Sequence, residues 1–139
     1  MLLSSGRLAV RAAAVAMPLG LVLVLTAGPA QAVADWDTVG QLESAKLQAC
    51  KVRADGGDAW KVRLRVRNGN DYRVQSRVTV FEGERETART WASGWVADGQ
   101  STTGAVKTGT GDRWRVSFAI SADQFGDGGE QRVSGIGRC

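Results

Sequence analysis

The sequence predicts an all-β protein, an antiparallel sandwich of about seven short strands, with a small β-barrel as the alternative. Three observations lead there. Apolar and polar residues alternate at period two through most of the chain, turn-forming clusters recur about every 8–12 residues, and no convincing amphipathic helix interrupts them. The sandwich is preferred because the two cysteines, Cys50 and Cys139, bracket this region, and a bridge between them suits neighbouring terminal strands.

Residues 1–32 have the three parts of a secretory signal. Arg7 and Arg11 form a basic start, Ala12 to Leu25 is apolar, and Ala30-Gln31-Ala32 supplies a small-x-small cleavage site. Ala32-Val33-Ala34 obeys the same rule, so the expected mature chain starts after Ala32 or Ala34. The rival reading is an uncleaved anchor, but the apolar run falls short of the ~20 residues that span a bilayer and contains Pro18 and Gly20. The expected product is secreted, extracellular and without stable membrane insertion.

Residues 33–45 lack clear periodicity and read as an N-terminal arm, with Trp36 positioned to dock on the domain; residues 46–139 form the β domain. In the first core strand Cys50 and Val52 share one face and Lys51 and Arg53 the other. Asp55-Gly56-Gly57-Asp58 turns the chain. From Trp60 to Arg67 the alternation is unbroken, with Trp60, Val62, Leu64 and Val66 facing inward. After the turn Asn68-Gly69-Asn70-Asp71, a strand from Tyr72 to Phe81 carries Val74, Val78 and Val80 on its apolar side. Weaker strands are expected over Glu86–Trp91, Trp95–Val96 and Ser101–Val106. Trp114, Val116, Phe118 and Ile120 mark a second strongly alternating strand. Ser121 to Gln131 reads as a glycine-rich acidic loop and Arg132 to Cys139 as the last strand. The arrangement resembles immunoglobulin-like secreted modules in general, although the internal Cys…Trp…Cys pattern of antibody domains is absent.

Composition narrows function. The chain has 18 basic and 14 acidic residues; without Arg7 and Arg11 the balance is 16 to 14, a net charge of +2. That is too even to imply nucleic acid or a membrane as partner. Histidine is absent, which removes the usual activator of serine and cysteine nucleophiles and the commonest metal ligand. A Cys50–Cys139 bridge would consume both thiols and stabilise the fold by roughly 4–5 kcal/mol in the chain-entropy model. No enzyme activity and no cofactor are expected. Asp123, Asp127 and Glu130 form an imperfect calcium-loop pattern without the alternating spacing of true loops, so no metal is expected either.

Two surfaces stand out instead. Lys61, Arg63, Arg65 and Arg67 project to one side of their strand. Paired with the next strand, Arg67 would oppose Arg73 and Arg63 would oppose Arg77, a destabilising juxtaposition of like charges. Either the two strands lie in different sheets, or Glu82, Glu84 and Glu86 neutralise the patch, or these six cations bind an anionic partner. Trp91 and Trp95 form the second surface. In one continuous strand both rings would face the same way about 13 Å apart, as a contact platform for a sugar or protein, or else be buried in the core. The expected function is a secreted, non-catalytic binding module for an anionic envelope polymer or another extracellular protein. The alternative is an inhibitor or structural protein that presents the rigid loop Ser121–Gln131, and an enzyme working without histidine comes third.

Overall fold

The computed structural model describes residues 34–139; the expected signal segment, residues 1–32, lies outside them. Eight strands follow in order: β1 (Asp37–Leu42), β2 (Ala45–Arg53), β3 (Ala59–Arg67), β4 (Val74–Glu82), β5 (Arg85–Val96), β6 (Ser101–Gly109), β7 (Trp114–Ser121) and β8 (Gly126–Arg132). They form two antiparallel four-stranded sheets, β1-β2-β3-β6 and β5-β4-β7-β8. The protein is a β-sandwich. In the immunoglobulin arrangement the second and third strands belong to opposite sheets, whereas here β2 and β3 are hairpin partners in one. The likeness is one of architecture, and the connectivity is its own.

The alternation read from the sequence builds the core. Val62, Leu64 and Val66 of β3 face Val74, Val78 and Val80 of β4 and Val116, Phe118 and Ile120 of β7 across the sandwich, all of them at most 2 % exposed. Two tryptophans complete this layer by lying on glycines of β6: Trp91 on Gly104 and Trp114 on Gly109. A Cβ at Gly104 would fall inside the Trp91 indole. Gly104→Ala is therefore expected to destabilise the domain by about 1–3 kcal/mol, the usual cost of overpacking. A chemical melt of Gly104→Ala beside Gly104→Ala/Trp91→Leu checks this, because the smaller partner should return part of the loss.

Several elements differ from the sequence reading, each for a tertiary reason. Part of the expected arm is strand: residues 37–42 form β1, paired with β2 through a bulge at Val39. The segments around Trp91 and Trp95 are one strand of twelve residues. The expected glycine-rich loop is largely β8, an exposed edge strand whose glycines pass close to the β7 backbone; a Cβ at Gly128 would lie 2.6 Å from the Phe118 carbonyl oxygen. Only residues 122–125 remain as a turn. The expected last strand is instead a short 3₁₀ turn, Val133–Gly135, followed by a tail.

That tail closes one end of the molecule. Val133 and Ile136 enter the core. Residues 137–139 then run parallel to β2 where β1 no longer covers its edge, with Lys51 N–H donating to Gly137 O (2.8 Å) and Cys139 N–H to Lys51 O (3.1 Å). Cys50 and Cys139 are bridged, with Cα atoms 5.0 Å apart. Cys50 and Val52 share one face of this segment and Lys51 and Arg53 the other, as expected, and it is the lysine's face that turns toward the core. Lys51 pairs with core residue Val62, while Cys50 pairs with outward Arg63. Lys51 is thus the inward residue, and its Nζ donates to the carbonyls of Val133 and Ser134 at 2.7 and 2.8 Å. Burial first, then the charges of Arg138 and Arg53, lowers its pKa. The domain's bridge belongs to an oxidising, non-cytosolic compartment. No helix among the described residues is long and apolar enough to cross a membrane.

Candidate functional site

The cationic face is built by β3 at the centre of its sheet. Because β3 and β4 lie in different sheets, the expected opposition of Arg67 to Arg73 and Arg63 to Arg77 does not occur. The six expected cations therefore divide. Lys61, Arg63, Arg65 and Arg67 line the outer face of the first sheet, while Arg77 lies on the second and Arg73 just precedes it. Glu82 and Glu84 pair with Arg113 and Arg115 on the second sheet and leave the patch untouched; Glu86 lies on β5 of that same sheet.

The sheet adds cations that were not grouped with the patch from the sequence. Lys46 of β2 lies directly opposite Arg67, and Lys107 of β6 directly opposite Lys61. Period-two reading of single strands cannot show which cations face each other across strands. The signal lay in Lys46 and Lys107 being isolated lysines on polar strand faces. Like charges directly opposed destabilise a sheet. No acidic residue occupies an outward position of this sheet, and the four ion pairs of the described residues involve only Arg73, Arg113 and Arg115.

Arg65 is the ordered centre. Its Nε and Nη2 both donate to Gln48 Oε1, at 3.1 and 2.8 Å, and its guanidinium lies 4.4 Å from the centroid of Trp36. Trp36 does dock on the domain, and its partner is this arginine. Burial, and after it the charge of Arg67, lowers the Arg65 pKa. A guanidinium nonetheless stays charged at any physiological pH. Its acceptor is a neutral amide, so its charge is uncompensated. On either side the surface is hollowed. One depression of about 270 Å³ is lined by Trp36, Lys61, Arg63 and Thr103. The other, about 550 Å³, is lined by Lys46, Gln48, Arg67 and Ser101.

Trp91 and Trp95 do not form a platform. Ser93 and Gly94 together oppose Ser76, with Gly94 at φ 66° and Ser93 Oγ accepting the Ser76 N–H at 2.8 Å. This bulge turns one residue of the strand over. Trp91 consequently pairs with inward Val78 and packs on the core, while Trp95 pairs with outward Gln75 and is 44 % exposed. Trp95 instead carries the Arg73 guanidinium at 4.4 Å, and Arg73 reaches Asp123 at 3.8 Å. Beside them Phe125, 52 % exposed, meets Tyr72 edge-on with centroids 5.6 Å apart. An aromatic ledge of Trp95, Tyr72 and Phe125 is the second surface of interest.

The three acids of the imperfect calcium pattern point to different partners: Asp127 accepts the Gln41 N–H at 3.0 Å, Glu130 pairs with Arg115, and Asp123 faces Arg73. Among the described residues no group of three or more acids or cysteines is placed to hold a metal ion. Compared with known proteins, the chain matches no family model and no curated sequence.

Proposed function

We propose that the protein is an exported, non-catalytic binding module that engages an anionic envelope polymer through the outer face of β2, β3 and β6. One observation carries this reading. Lys46, Lys61, Arg63, Arg65, Arg67 and Lys107 are concentrated on one sheet face, two like-charged pairs among them directly opposed, with no acid beside them on the strands. A sheet bears that repulsion without compensation only at a cost, and a polyanion on the face relieves it. The absence of histidine and the use of both thiols in the bridge favour binding over catalysis.

Replacing Arg63, Arg65 and Arg67 with serine should lower affinity for an anionic polysaccharide by about tenfold or more and flatten its salt dependence, since three counterion-releasing contacts are lost. Retention on an anionic column across a salt gradient measures both. A triple variant eluting with the unaltered protein would sink the proposal.

A second reading, contact with another extracellular protein, draws on the ledge of exposed Trp95 and Phe125 with half-buried Tyr72 between core and surface, since aromatic rings beside an arginine are the side chains that anchor interfaces. It predicts binding that is insensitive to salt and lost on Trp95→Ala. The rigid-loop inhibitor has less to work with, because most of Ser121–Gln131 is strand.

A further inference from the structure

The outer face of the first sheet is a row as well as a patch. Arg63, Arg65 and Arg67 follow one another at every second residue of a strand without bulges, which separates their Cα atoms by about 6.6 Å. The middle member is held. Two of the five guanidinium N–H groups of Arg65 are given to Gln48, and the plane is set on Trp36, so the remaining donors on Nη1 and Nη2 are oriented beforehand and are used at little entropic cost. Arg63 and Arg67 are exposed and line separate hollows on either side, each with a hydroxyl residue, Thr103 or Ser101, within it.

We infer that this face takes a phosphodiester-linked polyol chain laid along β3, with one phosphate on Arg65 and the neighbouring phosphates in the two flanking hollows. The inference deepens the polymer reading above and rests on it. Three features select this chemistry. Guanidinium groups recognise phosphate oxygens bidentately. A phosphodiester joined through a short polyol such as glycerol repeats its single charge on about the spacing of alternate strand residues, whereas polyuronates and sulfated dextrans carry charge on every sugar ring and so more closely. The hydroxyl residues in the hollows suit polyol linkers. A nucleic acid fits less well, because its bases want free aromatic faces, and Trp36, the ring on this face, already carries Arg65. Trp36 and Gln48 act on this account chiefly by orienting Arg65, and each also borders one of the two hollows.

The test uses the protein as recovered from its producing host. Its binding to poly(glycerol phosphate), dextran sulfate and polyglutamate, matched for total charge, is compared by calorimetry at two salt concentrations, with single-stranded DNA as a fourth arm. Poly(glycerol phosphate) should bind tightest. Gln48→Glu keeps the oxygen acceptor, and so the fold, but neutralises Arg65; it should weaken that binding by about tenfold while affecting the other polymers less. Trp36→Ala should do the same with an unchanged salt slope, because no charge is removed, and circular dichroism confirms that either variant is folded. Equal binding to all polymers or indifference to both substitutions overturns this inference and leaves the polymer reading standing, whereas preference for DNA overturns both. Absence of binding to every polyanion overturns both.

Discussion

Replacing Cys50 and Cys139 together by serine should lower the stability of the domain by about 4–5 kcal/mol, the chain-entropy value for a closure of this size. The bridge spans 89 residues of sequence, nearly all of the described domain, so its removal frees the unfolded chain more than a short-range bridge would. The structure adds a second consequence. The tail beyond Ile136 is held on β2 by two backbone hydrogen bonds and the disulfide, with the Gly137 N–H also donating to Asp37 at 2.6 Å. Without the bridge this segment should fray before the sandwich melts. Urea titration of the oxidised and double-serine proteins gives the first quantity. Hydrogen exchange at the Lys51 and Cys139 amides gives the second. A midpoint shift equivalent to less than about 1 kcal/mol would show that the bridge does not constrain the unfolded chain as the entropy model requires.

Asn68→Ala should cost about 3–4 kcal/mol, large for a polar side chain. Asn68 is 3 % exposed and ties three connections together at the other end of the sandwich. Its amide donates to Tyr72 O at 2.7 Å and to Val96 O at 2.9 Å, and its carbonyl oxygen accepts from the Asn70 N–H at 3.0 Å. Asn70 carries the network on, donating to Leu42 O at 2.9 Å and accepting the Ser44 N–H at 2.8 Å. The β1–β2 hairpin, the β3–β4 crossing and the end of β5 are thereby fixed to one another. Truncation leaves three main-chain groups without partners in a site largely closed to water, at about 1–3 kcal/mol each before relaxation and partial hydration. Thermal and urea denaturation of Asn68→Ala and Asn70→Ala, with the double variant, measures the network. Non-additivity is expected, because the Asn68 carbonyl oxygen holds the Asn70 main chain from which the second side chain reaches Leu42 and Ser44. A loss below about 1 kcal/mol for Asn68→Ala would mean that water replaces the amide fully.

The sandwich was legible in the chain because period-two alternation over β3 and β7 has only one burial solution, and because the turn clusters interrupt it at strand length. The elements that escaped did so for identifiable reasons. β8, with three glycines in seven residues, has almost no apolar pattern, and pairing with β7 alone makes it a strand. β1 lies on a sheet edge and is bulged, so its apolar residues do not alternate. Both the bulge that separates Trp91 from Trp95 and the turning of Lys51 rather than Cys50 toward the core follow from register, which depends on the partner strand rather than on the segment itself.

For the site, residue order determined that Lys61, Arg63, Arg65 and Arg67 share one face, since a strand sends alternate side chains to the same side. Only the tertiary structure decided which charges stand beside them. It placed Arg77 on the other sheet and Arg73 just before it, and brought in Lys46 and Lys107. It also laid Trp36 and Gln48 against Arg65. The physical reason is that alternation is local and covalent, whereas charge opposition, stacking and burial depend on which strands pair, and pairing is settled by the whole core.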